Sequence, residues 1–237
     1  MRKTILTYLG LLAGIGFAKS QDFKQDMLAL VNAQKVDKQC FSLTYNLREN
    51  HQSNSRVLYV SKGKYIKVKD ACLSTLDHIS SLTLKEEIIT VDKNEQQLTI
   101  SKLNQSSKAP TNDILQQIEN YNQYIQKVTG TKLTNNAYQY TIVLKQTFSA
   151  ISKYELVFDI KLKTILRMTL FYKTPIEEDK RYHITGKEIP RLDIEFTNYN
   201  DFKLLNEAEC NASYYYTKNK NKLIPSSNFN GYDIKQL

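Results

Sequence analysis

Few side chains with reactive chemistry stand at spacings that would let them cooperate in this sequence. The three histidines, His51, His78 and His183, lie far apart, with none of the HxH or HxxxH pairs that hold zinc from one strand or one helical turn. His78 sits beside Asp77 and near Ser80, but a nucleophilic triad needs separately held groups that converge, which neighbours on one loop do not supply. Ser61-Lys62-Gly63-Lys64 fits the S-x-x-K form of penicillin-recognising enzymes. That chemistry needs a helix start to aim serine and lysine together, and here the expected element is a hairpin turn. Thr129-Gly130-Thr131-Lys132 lacks the glycine spacing of a phosphate loop, and Glu177-Glu178-Asp179, flanked by Lys180 and Arg181, reads as a solvated acidic loop. The expectation is therefore a protein that is not an enzyme, with no catalytic residue, no metal site and no cofactor.

The cysteines add no motif. Cys40, Cys72 and Cys210 have no CxxC spacing, and an odd number leaves at least one thiol unpaired. Three single disulfide pairings are open, as is a reading in which all three are small buried hydrophobes.

The N-terminus bears on compartment. Arg2 and Lys3 precede an apolar stretch over 5–17, and Ala18-Lys19-Ser20 has the small-x-small pattern of a cleavage site. Thirteen residues are too few to span a bilayer, which needs about 20. Residues 1–20 are thus expected to be a cleaved signal peptide rather than a permanent membrane anchor, leaving a periplasmic or secreted chain cut near Ser20. The whole chain carries a formal charge of +9; without Arg2, Lys3 and Lys19, 30 basic residues face 24 acidic ones. That net +6 is modest for 217 residues, so nucleic acid is not an expected partner. A chain of this length can bury one sizeable core, and 21–237 is expected to be a single domain with an extended C-terminal segment from about 203.

Several periodic elements must build that core. Asp22 can cap a helix over 22–36 whose Phe23, Met27, Leu30 and Val31 form one stripe. Phe41, Leu43, Tyr45 and Leu47 alternate with polar residues and share one face of a strand, the other face being wet. Residues 56–61 and 64–68 read as a hairpin turning at Lys62-Gly63, and 81–91 with 97–102 as a second, contributing Ile89, Val91, Leu98 and Ile100; 70–80 is a connection. After Pro110, the spacing of Ile114, Ile118, Tyr121, Ile125 and Val128 predicts a second helix ended by Gly130. Four alternating runs follow, with inward sets Tyr138, Tyr140, Ile142 and Leu144; Leu156, Phe158 and Ile160; Leu166, Met168 and Leu170; and Leu192, Ile194 and Phe196. The short link at 161–164 pairs the middle two antiparallel. The Tyr214-Tyr215-Tyr216 and Lys218 to Lys222 tail suits an anionic lipid surface or a partner protein, or else is a plain basic loop.

One apolar and one polar face per strand, with amphipathic helices between, points to an α+β fold. The expected architecture is a large curved antiparallel sheet, an unclosed β-barrel, with helices covering its concave apolar face. A ligand pocket between sheet and helices would be lined by Phe41, Leu43, Tyr45, Tyr140, Ile142, Leu144, Leu156, Phe158, Met168, Leu170 and Ile194.

This order of elements resembles the outer-membrane lipoprotein carrier (LolA-like) family. The resemblance rests on the signal peptide, the amphipathic first helix and the hairpin-rich half. It rests also on Tyr154-Glu155-Leu156-Val157-Phe158-Asp159 with 165–171 behind it, and on 191–199 followed by Asp201-Phe202 as a final long strand. Lys64-Tyr65-Ile66-Lys67-Val68 lacks the Arg-Pro pair and the lid-bonding arginine of the carrier proper. The resemblance implies an unclosed barrel with an apolar lining and a helical lid, and a carrier of acyl chains. Two functions are open on these grounds. One is a non-enzymatic envelope carrier or binding protein for a lipid or the acyl chain of a lipoprotein. The other is a structural or interaction module of a cell-envelope assembly, filled by its own side chains and holding a protein partner.

Overall fold

A computed structural model describes residues 21–33, 35–103, 124–145, 150–179, 184–220 and 222–237. The signal-peptide assignment over 1–20, the first part of the expected second helix and His183 lie outside the described residues.

Helix α1, Gln21–Ala33, is the one α-helix among the described residues, and its Phe23, Met27 and Leu30 are buried as their i, i+4, i+7 spacing requires. Strands follow in the order β1 Lys38–Arg48, β2 Val57–Val68, β3 Ala71–Leu76, β4 Ile79–Thr83, β5 Glu87–Asp92, β6 Gln97–Lys102, β7 Ile125–Lys132, β8 Ala137–Leu144, β9 Ile151–Asp159, β10 Thr164–Tyr172 and β11 Arg191–Thr197. The C-terminal part adds β12 Tyr216–Asn219, β13 Lys222–Pro225 and β14 Asp233–Gln236. Twelve strands form one sheet in the order β14-β6-β5-β4-β3-β2-β1-β11-β10-β9-β8-β7, while β12 and β13 pair as a separate ribbon. The sheet is open, with β14 and β7 at its ends. Strands β2 to β6 and β7 to β11 include only antiparallel pairings between consecutive hairpin strands, and β14 joins β6 in parallel. The large antiparallel sheet expected from strand alternation is present, and among the described residues it is accompanied by the one α-helix, α1.

Two compact units share these strands: 21–35, 44–60 and 124–196 make the first, and 36–43, 61–103 and 197–237 the second. In the second, Ile66, Leu73, Leu82, Ile89 and Ile100 stand opposite one another across five strands and are buried with Cys40, Cys210, Tyr215 and Phe229. The segment after Thr197 supplies the cover. Single turns of 3-10 helix at Glu207–Cys210, Ala212–Tyr214 and Ser227–Phe229 alternate there with the short strands. Tyr215 and Phe229 stack with ring centroids 5.3 Å apart. All three cysteines are unpaired, Cys40 and Cys210 within this core; burial is the first reason both thiols titrate above their ordinary value.

Several local expectations are corrected. Lys62-Gly63 is no hairpin turn, because β2 runs straight through it. Glycine is needed there for another reason: a Cβ on Gly63 would stand 2.3 Å from the Thr75 carbonyl oxygen of the adjacent strand. The connection 70–80 is strand β3 with its turns, and 81–91 is broken by a turn in which the Leu84 N–H donates to the Glu87 carbonyl. Residues 125–130 are not the end of a helix but part of β7. A bulge between Ile125 and Lys127 shifts the strand by one residue, so that Ile125 and Val128 both turn inward and mimic helical i, i+3 spacing. Finally, Ile160 is exposed in the β9–β10 turn, and a second bulge between Ile165 and Arg167 puts Ile165, rather than Leu166, inward beside Phe158.

Candidate ligand-binding face

The first unit carries one apolar face whose register is set by five antiparallel strands. Gly130, Tyr140, Leu156, Met168 and Ile194 are directly opposite in turn on β7, β8, β9, β10 and β11. Beside this row runs another, Val128, Ile142, Tyr154, Leu170 and Leu192. Directly paired residues project to the same side of a sheet, so each row is a continuous apolar ridge about 20 Å across five strands spaced ~4.8 Å apart. Leu144 faces Ile125 at one margin, and Phe158 faces Tyr138 and Ile165 at the other. The glycine in the first row is a packing device: a Cβ there would press on the Tyr140 ring at 3.1 Å.

Helix α1 lies against β10 and is fitted to the rows by its own aromatic and polar groups. The Phe23 ring meets Tyr140 edge to face at 4.8 Å, and the Tyr140 hydroxyl donates to the Asp26 carboxylate. The Tyr140 hydroxyl is thereby engaged by the helix.

Of the eleven residues singled out from sequence, nine fall in this unit: Tyr45, Tyr140, Ile142, Leu144, Leu156, Phe158, Met168, Leu170 and Ile194, all buried. The rows hold six of them and their margins two more, Leu144 and Phe158; Tyr45 stands on β1, where burial pushes its pKa up to about 12. Phe41 and Leu43, also buried, belong to the second unit, where Phe41 stacks on Tyr65 at 4.9 Å and meets Tyr199 at 5.1 Å. Tyr154 was missed although it alternates with Leu156 and Phe158, and the helix residues Phe23 and Met27 complete the face.

The reverse of this sheet is not simply wet. Val157, Thr169 and Phe171 are buried there, with His51 edge to face on Phe171 at 5.2 Å and the Lys153 ammonium 3.8 Å from that ring. Asp193 accepts from Arg48 Nε at 2.7 Å, from Arg191 at 3.0 Å and from the Thr169 hydroxyl at 3.0 Å. The two guanidinium groups then tie down the β1–β2 loop, Arg48 donating to the Ser55 carbonyl and Arg191 to those of His51 and Ser53. Through Arg48 and Arg191 this network holds the β1–β2 loop over the reverse of the sheet.

Other motifs resolve into turn chemistry. The Ser61 hydroxyl donates to Asp77 at 2.6 Å and the Lys62 N–H to the same carboxylate, so the S-x-x-K run caps the β3–β4 turn. Tyr215 is buried and Tyr216 half-buried: Tyr215 donates to the Glu209 carbonyl and Tyr216 to the Glu87 carboxylate, while Lys218, Lys220 and Lys222 are exposed. Among the described residues no three His, Cys, Asp or Glu side chains are grouped to hold a metal.

No protein-family model matches the chain, and no curated protein does. Several solved structures show similarity to the chain. An uncharacterized conserved protein from Thermus thermophilus is 11% identical, with 92% of this chain and 100% of that one covered at a TM-score of 0.44. A LolA superfamily protein from Nitrosomonas europaea is 7% identical over 80% of this chain and 98% of its own, at a TM-score of 0.32. The MucA/MucB complex of Pseudomonas aeruginosa matches at 14% identity over 79% of this chain and 62% of that chain, at 0.41.

Proposed function

We propose that this chain is a non-enzymatic periplasmic or secreted carrier, or binding protein, for a lipid or the acyl chain of a lipoprotein, reached after removal of residues 1–20. The observation that supports this reading is the pair of apolar rows with the amphipathic helix α1 packed against them. An acyl chain asks for apolar area and little else, since burying each CH₂ is worth about 0.8 kcal/mol. Displacing α1 would expose Tyr140, Leu156, Met168 and Ile194 along one ridge and Ile142 and Leu170 along the next, a surface that suits an extended hydrocarbon. The partner is then a lipid or an acylated protein, with no cofactor and no permanent anchor.

The burial of all eleven candidate residues favours a second reading, in which the fold is filled by its own side chains and serves as an interaction module of an envelope assembly. One experiment separates the two. Native mass spectrometry of the protein purified from its envelope fraction, followed by organic extraction, is expected to show a stoichiometric lipid mass that disappears on denaturation. An unliganded mass together with no uptake of a fluorescent acyl probe would overturn the carrier reading in favour of the module.

A further inference from the structure

The end of the first unit that carries the β7–β8 and β9–β10 turns has an unusual surface. Leu133, Ile160 and Leu162 are exposed there, Leu162 to 64% of its surface, the largest value among the described internal hydrophobics. The turns that hold them are well defined. Asp159 Oδ1 accepts from the Lys161 and Leu162 N–H groups at 2.9 and 2.8 Å, Lys163 closes the turn at φ 54°, and the Ile160 N–H donates across to the Asn136 carbonyl of the other turn at 2.9 Å. A tip held this firmly presents its leucine outward in the folded state.

Charge singles out the same end. Lys132, Lys161 and Lys163 are exposed around the three apolar side chains, and neither 124–145 nor 160–172 contains a single Asp or Glu. Asp159, the acid at hand, is turned inward to the backbone of its own turn. Beyond Lys163 the surface continues into a shallow depression on the outer side of α1, lined by Gln25, Leu28, Ala29, Asn32 and Ala33. Isolated exposed leucines are ordinary, but three apolar side chains on projecting turns, ringed by lysines and with Asp159 engaged by its own turn, match a headgroup layer. Apolar tips enter the acyl boundary while long ammonium side chains reach back to phosphate.

We propose that this end of the first unit is a reversible docking surface for an anionic bilayer. The site is separate from the apolar rows, which face the other side of α1, and it stands whether or not the rows carry a ligand.

The chain has no tryptophan, so a single one placed at the tip reports on it alone. In the full chain, Leu162→Trp is expected to shift its emission to the blue on adding phosphatidylglycerol/phosphatidylethanolamine vesicles, and to shift back as salt is raised. Phe202→Trp, exposed in the second unit, is expected not to shift. In vesicle co-sedimentation, Leu162→Asp is expected to lower partitioning about tenfold, as withdrawing one leucine from an apolar phase does. Replacing Lys132, Lys161 and Lys163 by Gln is expected to lower it by about tenfold or more on anionic vesicles and little on phosphatidylcholine. All forms share residues 1–20, so differences between them belong to the tip. An unshifted tryptophan at 162, or equal partitioning of the variants, overturns the proposal and makes these turns a protein contact or an inert surface.

Discussion

The Tyr140 hydroxyl on β8 donates to the Asp26 carboxylate on α1, joining positions 114 residues apart across the apolar face. The same ring receives the edge of Phe23 and covers Gly130 on the neighbouring strand. Tyr140 is thus the point at which helix, strand and sheet edge meet, and it couples the position of α1 to the state of the rows beneath it.

Removing that hydroxyl while keeping the ring isolates the polar contact. Tyr140→Phe is expected to cost about 1.5–3 kcal/mol, the usual worth of a hydrogen bond to a charged partner. The loss should appear as a lower urea midpoint at unchanged slope and as faster proteolytic cutting within 21–33. If α1 is the element that admits a ligand, the variant also takes up a fluorescent acyl probe faster than the parent. A parent-like midpoint would show that the helix is held by its apolar stripe alone.

Gly63 makes a stricter test of packing. Because a Cβ there would lie 2.3 Å from the Thr75 carbonyl oxygen, which is backbone and cannot rotate away, Gly63→Ala must push β2 and β3 apart. The expected cost is about 1–3 kcal/mol, in the range of overpacked cores, with the loss read as a lower melting temperature. Gly231, whose φ of 87° leaves open space around it, is a useful contrast: Gly231→Ala is strained by backbone conformation and not by collision.

On the reverse of the sheet, Asp193 balances two guanidinium groups, with side-chain exposures of 11% for Asp193, 25% for Arg48 and 10% for Arg191. Asp193→Ala leaves two like charges close together and little hydrated, which is expected to destabilise the fold by about 3–5 kcal/mol. Thr169→Val removes only one neutral donor from the same carboxylate and should cost about 1 kcal/mol. Equal effects of the two substitutions in chemical denaturation would contradict a charge-balancing role for Asp193.

These side chains also mark where the sequence was readable and where it was not. Strands β1 and β8 to β11 were legible because strict alternation, as in Phe41, Leu43, Tyr45 and Leu47, has one physical meaning. The turns after β2 and β3 were not, because Lys69 and Asp77 take up the positive φ, at 53° and 50°, for which a reader looks to glycine, while Gly63 sits mid-strand. Bulges hid the rest. One in β7 turned a strand into an apparent helix, and one in β10 exchanged Leu166 for Ile165 on the inner side. Of the candidate face, the apolar members of the rows were readable by parity, whereas their closure by Asp26 and Phe23 depends on contacts between distant residues that no local pattern carries. The polar network around Asp193 was hidden for the same reason: alternation assigned its residues to the wet face, and only the fold of the 49–56 loop over them makes them buried.

Acid titration gives a final, local test. Burial alone would raise the Glu188 pKa, but its carboxylate accepts from the Thr185 N–H at 2.9 Å, the Thr185 hydroxyl at 2.8 Å and the Lys187 N–H at 3.1 Å. Together with its own N–H, these bonds to the charged form outweigh burial and hold the group at about 2, against an ordinary 4.5. Between those values the unfolded chain binds a proton that the folded chain refuses, so stability falls as pH falls. The contribution of Glu188 is therefore full above about pH 4.5 and is lost progressively toward pH 2. Glu188→Gln should lower stability at neutral pH, where it gives up charge-assisted bonds, and should differ little from the parent at pH 2. Urea midpoints of both forms measured from pH 7 to pH 2 are expected to converge; parallel curves would mean that the 185–188 turn is held by its backbone and not by the carboxylate.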